Sequence, residues 1–165
     1  MMSVVILRDV TESDLPVFFE QQLDAAANHM AAFTAKNPSD RIAFMGKWTK
    51  ILHDEAILKK TVIFEERVAG HVMSFVAPWS GKLEVSYWFG KDFWGRGIAT
   101  KSLEQFLGHQ TIRPLYARAA RDNIASIRVL EKCGFTNSGY DRGYASVRGE
   151  EIEEVVMKLE TTSFR

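Results

Sequence analysis

Apolar and polar residues alternate from Val4 to Val10, the period-two pattern of a half-buried strand, and Thr11 with Asp14 offers a capping start for a helix entered at Pro16. An alanine-rich stretch from Ala25 to Phe33 reads as helix. Asn37-Pro38-Ser39-Asp40 interrupts it, and Phe44, Met45, Trp48, Ile51 and Leu52 then recur at helical spacing up to His53. The first third therefore predicts one strand and two or three helices. Thr61 to Glu66, Val68 to Ala77 and Leu83 to Phe89 are runs of β-forming residues broken at Arg67 and at Pro78 to Gly81, which predicts an antiparallel meander. A helix from about Ile98 to Gly108 carries Ala99, Leu103, Phe106 and Leu107 on one face, and a strand from Leu115 to Ala120 follows. Strand, helix and strand imply a parallel crossover. A further helix, about Asn123 to Cys133, stops at Gly134, a residue suited to the left-handed cap. Two strands, about Thr136 to Tyr144 and Glu151 to Leu159, finish the chain. No repeat, low-complexity tract or linker interrupts the order, so the expected fold class is α/β (α+β): one domain over residues 1–165 with a mixed, mostly antiparallel sheet of about seven strands and flanking helices.

Composition narrows the function classes. The 165 residues are 46% hydrophobic and 25% charged, as in a globular chain with a real core. Lys plus Arg equals Asp plus Glu at 21 each, so no bulk positive field draws the chain onto nucleic acid or an anionic membrane. One cysteine, Cys133, forms no internal disulfide and is compatible with a reducing compartment. The N-terminus lacks a signal-peptide pattern and no apolar run approaches the roughly 20 residues that span a bilayer, which points to a cytoplasmic location. His29, His53, His71 and His109 are scattered without metal-ligand spacing and are assigned no site.

The densest chemical signal is Trp94-Gly95-Arg96-Gly97-Ile98-Ala99-Thr100, between an aromatic strand and an amphipathic helix. Small residues there let backbone amides approach a ligand, and unpaired N–H groups at a helix start form an anion site that suits a diphosphate. The stretch lacks the Lys-Ser/Thr ending of a P-loop and is too short for the dinucleotide fingerprint. Gly-x-Gly also ends strands and starts helices in proteins that bind nothing, so this stretch by itself leaves both readings open.

A second stretch follows downstream: Asn123-Ile124-Ala125-Ser126-Ile127-Arg128-Val129-Leu130-Glu131-Lys132-Cys133-Gly134-Phe135. It reads as a capped and terminated helix in its own right. Together the two stretches resemble the GNAT superfamily of N-acetyltransferases, in particular the branch typified by ribosomal-protein alanine N-acetyltransferases. Gly97 and Ala99 occupy the small positions of the family's pyrophosphate motif, and Trp94 departs from it at the first position. The resemblance implies acetyl-CoA as co-substrate and no metal. It also implies a splay between the strands at Leu83 to Gly90 and Leu115 to Ala120, with the pantetheine arm lying between them. Backbone groups of Trp88, Phe89 and Gly90 would bond the pantetheine, as would Asn123. Amides of Gly95 to Thr100, including Ile98 and Ala99, would hold the diphosphate, and Arg96 would add charge-assisted contacts.

Acetyl transfer needs a neutral amine, a stabilised oxyanion and a proton for the departing thiolate. In resembling enzymes a glutamate on the strand beside the coenzyme often serves as base through water. Alternation sets Glu84, Ser86 and Trp88 on the face opposite Leu83, Val85, Tyr87 and Phe89, so Glu84 is the expected base, its pKa raised by an apolar site, unless it merely solvates an exposed face. The family's usual tyrosine acid is replaced by Leu130, whereas Ser126 matches a serine near the coenzyme sulfur and is the expected proton donor or thiolate stabiliser, unless it only completes the helix start. Cys133 reads as a packed thiol. The acceptor, a protein N-terminus or a small-molecule amine, would be selected by about Gln21 to His53 and Tyr140 to Glu150. Trp48 and Trp79 would line its cleft, and Asp24 and the Glu150 to Glu154 cluster would attract a cationic amine unless they are solvated surface. A homodimer is compatible with the sequence. The alternatives are a non-catalytic acyl-CoA-binding regulatory module and a nucleotide-binding protein.

Overall fold

The computed structural model describes residues 4–161. The chain runs β1 (Val5–Asp9), α1 (Leu15–Gln21), α2 (Ala25–Ala31), α3 (Arg41–His53), β2 (Leu58–Phe64), β3 (Arg67–Val76), β4 (Leu83–Phe89), α4 (Ile98–His109), β5 (Leu115–Ala120), α5 (Ile124–Lys132), β6 (Thr136–Ala145) and β7 (Glu150–Leu159). Seven strands form one sheet in the order β1-β2-β3-β4-β5-β7-β6. Every neighbouring pair is antiparallel except β4 and β5, which run parallel. This is the expected mixed, mostly antiparallel α/β architecture, with three helices in the N-terminal third.

The meander differs from expectation at its first turn. The break falls at Glu65 and Glu66, with φ of 51° and 64°, and Arg67 already belongs to β3. Two left-handed residues match a tight hairpin to the twist of its strands, a requirement of backbone geometry that composition did not signal. Gly70 faces a different constraint. A Cβ there would overlap the carbonyl oxygen of Trp88, so only glycine lets β3 and β4 close at that point.

The sheet's two faces bury separate apolar sets. On one, α4 and α5 pack Ile98, Leu103, Phe106 and Leu130 against Val85, Phe89, Leu115 and Ala117. On the other, α1 and α3 pack Leu15, Phe18, Trp48 and Ile51 with Val10. The start of α1 is tied to the sheet through Asp14. Its carboxylate accepts both terminal nitrogens of Arg8 on β1 (2.7 and 2.8 Å), the Thr11 N–H (2.9 Å) and the Thr61 hydroxyl on β2 (2.7 Å). Burial pushes this carboxyl up, but those hydrogen bonds outweigh it and hold it down at about 2.

Candidate active site

Strands β4 and β5 meet at one pair, Glu84 opposite Tyr116, whereas β3 and β4 share seven. The rest of β4 has no partner on its β5 side, which leaves backbone polar groups open to an extended ligand. Just past β4 the chain turns back on itself. The Gly90 N–H donates to Ala69 O (2.9 Å), Gly90 O accepts from the Phe93 N–H (2.9 Å), and Phe89 O accepts from Trp94 Nε1 (2.9 Å). These bonds commit both backbone groups of Gly90. The open edge lies along the β4 residues between Glu84 and Phe89; of the expected Trp88, Phe89 and Gly90, the first two belong to β4 and Gly90 lies in the turn just past it.

The loop then reaches α4 through Gly95 and Gly97, with φ of 71° and 73°. Gly97 is the cap residue of α4 and has no side chain, so the first-turn N–H groups of Ile98, Ala99 and Thr100 receive no side-chain cap. Donors and helix dipole thus converge on open space. Arg96 sits beside this space, its Nη2 donating to Glu65 (2.7 Å) and its guanidinium 4.8 Å from the Phe64 ring centre.

At the start of α5, Asn123 caps the helix by accepting the Ser126 N–H (3.3 Å). The Ser126 hydroxyl lies 2.8 Å from Tyr87 Oη, which bridges the gap between β4 and α5. Burial pushes the Tyr87 phenol up to about 12, against the Ser126 hydrogen bond that favours ionisation, so Tyr87 is a neutral donor at ordinary pH. Sequence reading gave Tyr87 no role, because alternation put it on the apolar face. Leu130, one turn beyond Ser126, is fully buried in the core. Burial also raises the Cys133 thiol to about 11, with Glu104 adding to it, and the thiol packs at 3.6 Å from Thr100 O.

Glu84 is 4% exposed. Its Oε2 accepts from Trp79 Nε1 (3.1 Å), Ser80 Oγ (2.9 Å) and Arg118 Nε (3.1 Å), so it neither solvates an exposed face nor sits in an apolar pocket. Arg118, on β5, also binds Asp141 (2.9 Å) and Glu154 (2.7 Å). Burial disfavours the charge on Arg118, but the hydrogen bonds it donates to Asp141, Glu154 and Glu84 more than reverse that and raise its pKa. Burial raises the Glu154 carboxyl, against the Arg118 hydrogen bond. No motif in the sequence links Glu84 to a partner 34 residues away.

On the same face of β4 lies a cavity of about 390 Å³, bounded by α1, α2, α3, β3 and β4 and lined on its β4 side by Ser86, Tyr87 and Trp88. Trp48 lines it. Trp79 does not: it is 62% exposed, and its indole nitrogen is spent on Glu84. Four of the acidic groups expected to attract a cation, Asp24, Glu151, Glu153 and Glu154, are engaged elsewhere. Asp24 caps α2 at the Ala27 N–H (2.8 Å), and Glu151, Glu153 and Glu154 pair with Arg142, Arg121 and Arg118. His71, assigned no site from sequence, lines the cavity. Among the described residues no cluster of three His, Cys, Asp or Glu side chains converges as a metal site, and no helix is long and apolar enough to cross a membrane.

The family model for the acetyltransferase (GNAT) domain matches residues 5–136. The chain is 24% identical over 84 residues to an uncharacterised N-acetyltransferase p20 of Bacillus licheniformis, a match covering 48% of this chain and 47% of that protein, so it spans about half the length of the curated relative. Among solved structures, it is similar to spermidine N-acetyltransferase from Vibrio cholerae in complex with CoA and spermine (TM-score 0.80, 16% identity, 94% and 95% of the two chains). It is likewise similar to a ribosomal-protein-alanine N-acetyltransferase from Brucella melitensis (0.77, 20%, 94% and 99%). A microcin C7 self-immunity acetyltransferase in complex with acetyl-CoA and AMP matches at 0.75 and 18%, over 95% and 92% of the two chains. At such identities the likeness is one of fold.

Proposed function

Since this chain belongs to the GNAT acetyltransferase family, we propose that it moves an acetyl group directly from acetyl-CoA to a primary amine. The observation that carries this reading is the single-pair junction of β4 and β5, whose open edge leads to the uncapped start of α4 on one side and borders the cavity on the other. The diphosphate suits the N–H groups from Gly95 to Thr100, and the pantetheine suits the unpaired edge of β4. The thioester would then lie near Ser86 to Trp88, within reach of an amine in the cavity. Nitrogen attacks the carbonyl carbon, the N–C bond forms and the C–S bond breaks. The proton lost from nitrogen passes through water to Glu84, whose Oε1 accepts no hydrogen bond among the described residues. The departing thiolate accepts a hydrogen bond from the Ser126 hydroxyl, which Tyr87 backs.

The acceptor is an amine on a small molecule or a protein N-terminus, in keeping with the spermidine and ribosomal-protein acetyltransferases named above, and the reaction runs in the cytoplasm. The test is Glu84→Gln, measured by thiol release over a panel of amines and by calorimetry with acetyl-CoA. A general base supplies about 10²–10⁴ in rate. Turnover reduced on that scale with coenzyme binding retained supports Glu84 as base. Unchanged turnover makes the carboxylate a structural partner of Arg118.

A further inference from the structure

Two buried side-chain atoms in the cavity wall have no hydrogen-bond partner among the described residues: His71 Nδ1 and Thr34 Oγ1. Buried polar atoms are almost always paired, so two unpaired in one lining ask for a ligand that pairs them. The His71 ring packs at a tilt against Phe18 (4.7 Å, 56°) and edge-on against Trp48 (4.7 Å, 74°). Burial, with Lys47 adding, pushes His71 down to about 3, so it is neutral at ordinary pH and offers one donor and one acceptor. The remaining wall is largely apolar and aromatic, with Phe44 and Met73 beside these rings. Its charged groups do not suit a polycation. Asp40, the one acidic residue in the lining, caps α3 at the Ala43 N–H (3.0 Å), and Lys47 adds a positive charge. A second ammonium entering this space would lose its water beside Lys47, with the exposed, helix-capping Asp40 as the single carboxylate in the lining.

We propose that the acceptor is a primary amine on a bulky apolar skeleton that bears one neutral hydrogen-bonding group, which enters this cavity and pairs with His71 and Thr34. The inference rests on the acetyltransferase reading above and names the substrate class of that site. The amine is directed at β4, where Ser86 and Trp88 border the cavity. Selectivity against polyamines comes from the Lys47 charge and from a lining with only one carboxylate, Asp40, which already caps α3. Selectivity for the hydroxyl comes from polar atoms that an apolar analogue leaves unpaired.

The experiment measures kcat/KM by thiol release, with product identified by mass spectrometry, for tyramine, 2-phenylethylamine and spermidine. Tyramine is expected to exceed both of the others by about tenfold or more, the scale of one or two hydrogen bonds in a dry site. In Thr34→Val and His71→Phe the ratio of tyramine to 2-phenylethylamine is expected to collapse toward one, through KM. A general folding defect would lower both amines together and keep the ratio, which would overturn the assignment of these residues. Preference for spermidine overturns the substrate class while leaving the acetyltransferase reading intact. No turnover of any amine by a chain that binds acetyl-CoA overturns both.

Discussion

Replacing Asp14 by Asn should destabilise the fold in a pH-dependent way. The carboxyl is held at about 2 in the folded chain, against an ordinary 3.8. At 1.36 kcal/mol per pKa unit, the difference corresponds to about 2.4 kcal/mol. Arg8, its main partner, is 40% exposed and partly screened, which reduces the expected loss to about 1.5 kcal/mol at pH 7. The folded value is depressed, so this stability is present above 3.8 and is lost as pH falls through about 2. About half of it should be gone at pH 3. Urea denaturation of both proteins at pH 7, 5 and 3 provides the check, with the gap steady from 7 to 5 and narrowed at 3. A gap below about 0.5 kcal/mol at pH 7, or one that does not change with pH, would refute the reasoning. The clamp anchors the start of α1, whose Phe18 forms part of the cavity wall.

Gly97→Val puts a β-branched residue at φ 73°, strains the start of α4 and should weaken acetyl-CoA binding by about tenfold or more in calorimetry, whereas Gly97→Asn, which tolerates that conformation, should lose less. Tyr87→Phe removes the partner of the Ser126 hydroxyl and should cost about 1 kcal/mol in urea denaturation. Because the phenol titrates near 12, the variant's pH–rate profile should gain or lose no limb below pH 10. A limb that disappears there would make Tyr87 an acid, not a neutral donor.

Much of the fold was legible because its signals are local. Asp14 and Pro16 announce α1, hydrophobic period marks β4, α4 and β5 to within a residue or two, and Gly134 terminates α5. The glycine stretch and the Asn123 helix pointed to the coenzyme side for the same reason, since backbone conformation and caps are properties of a few adjacent residues. The turn at Glu65 and Glu66 was misplaced by one or two residues, because two left-handed glutamates carry no compositional mark.

The sequence by itself determined the order and type of the elements, and the family to which two short motifs pointed. Only the tertiary structure decided which side chains meet. Arg118 reaches Glu84 because β4 and β5 touch at one pair, and Tyr87 reaches Ser126 because α5, packed on α4 and β5, brings its first turn beside the open edge of β4. His71 and Thr34 come to face one cavity because α1, α2 and α3 fold over β3. These contacts depend on sheet order and register, where a shift of one residue exchanges the faces of a strand, and no pattern within a single segment encodes that choice.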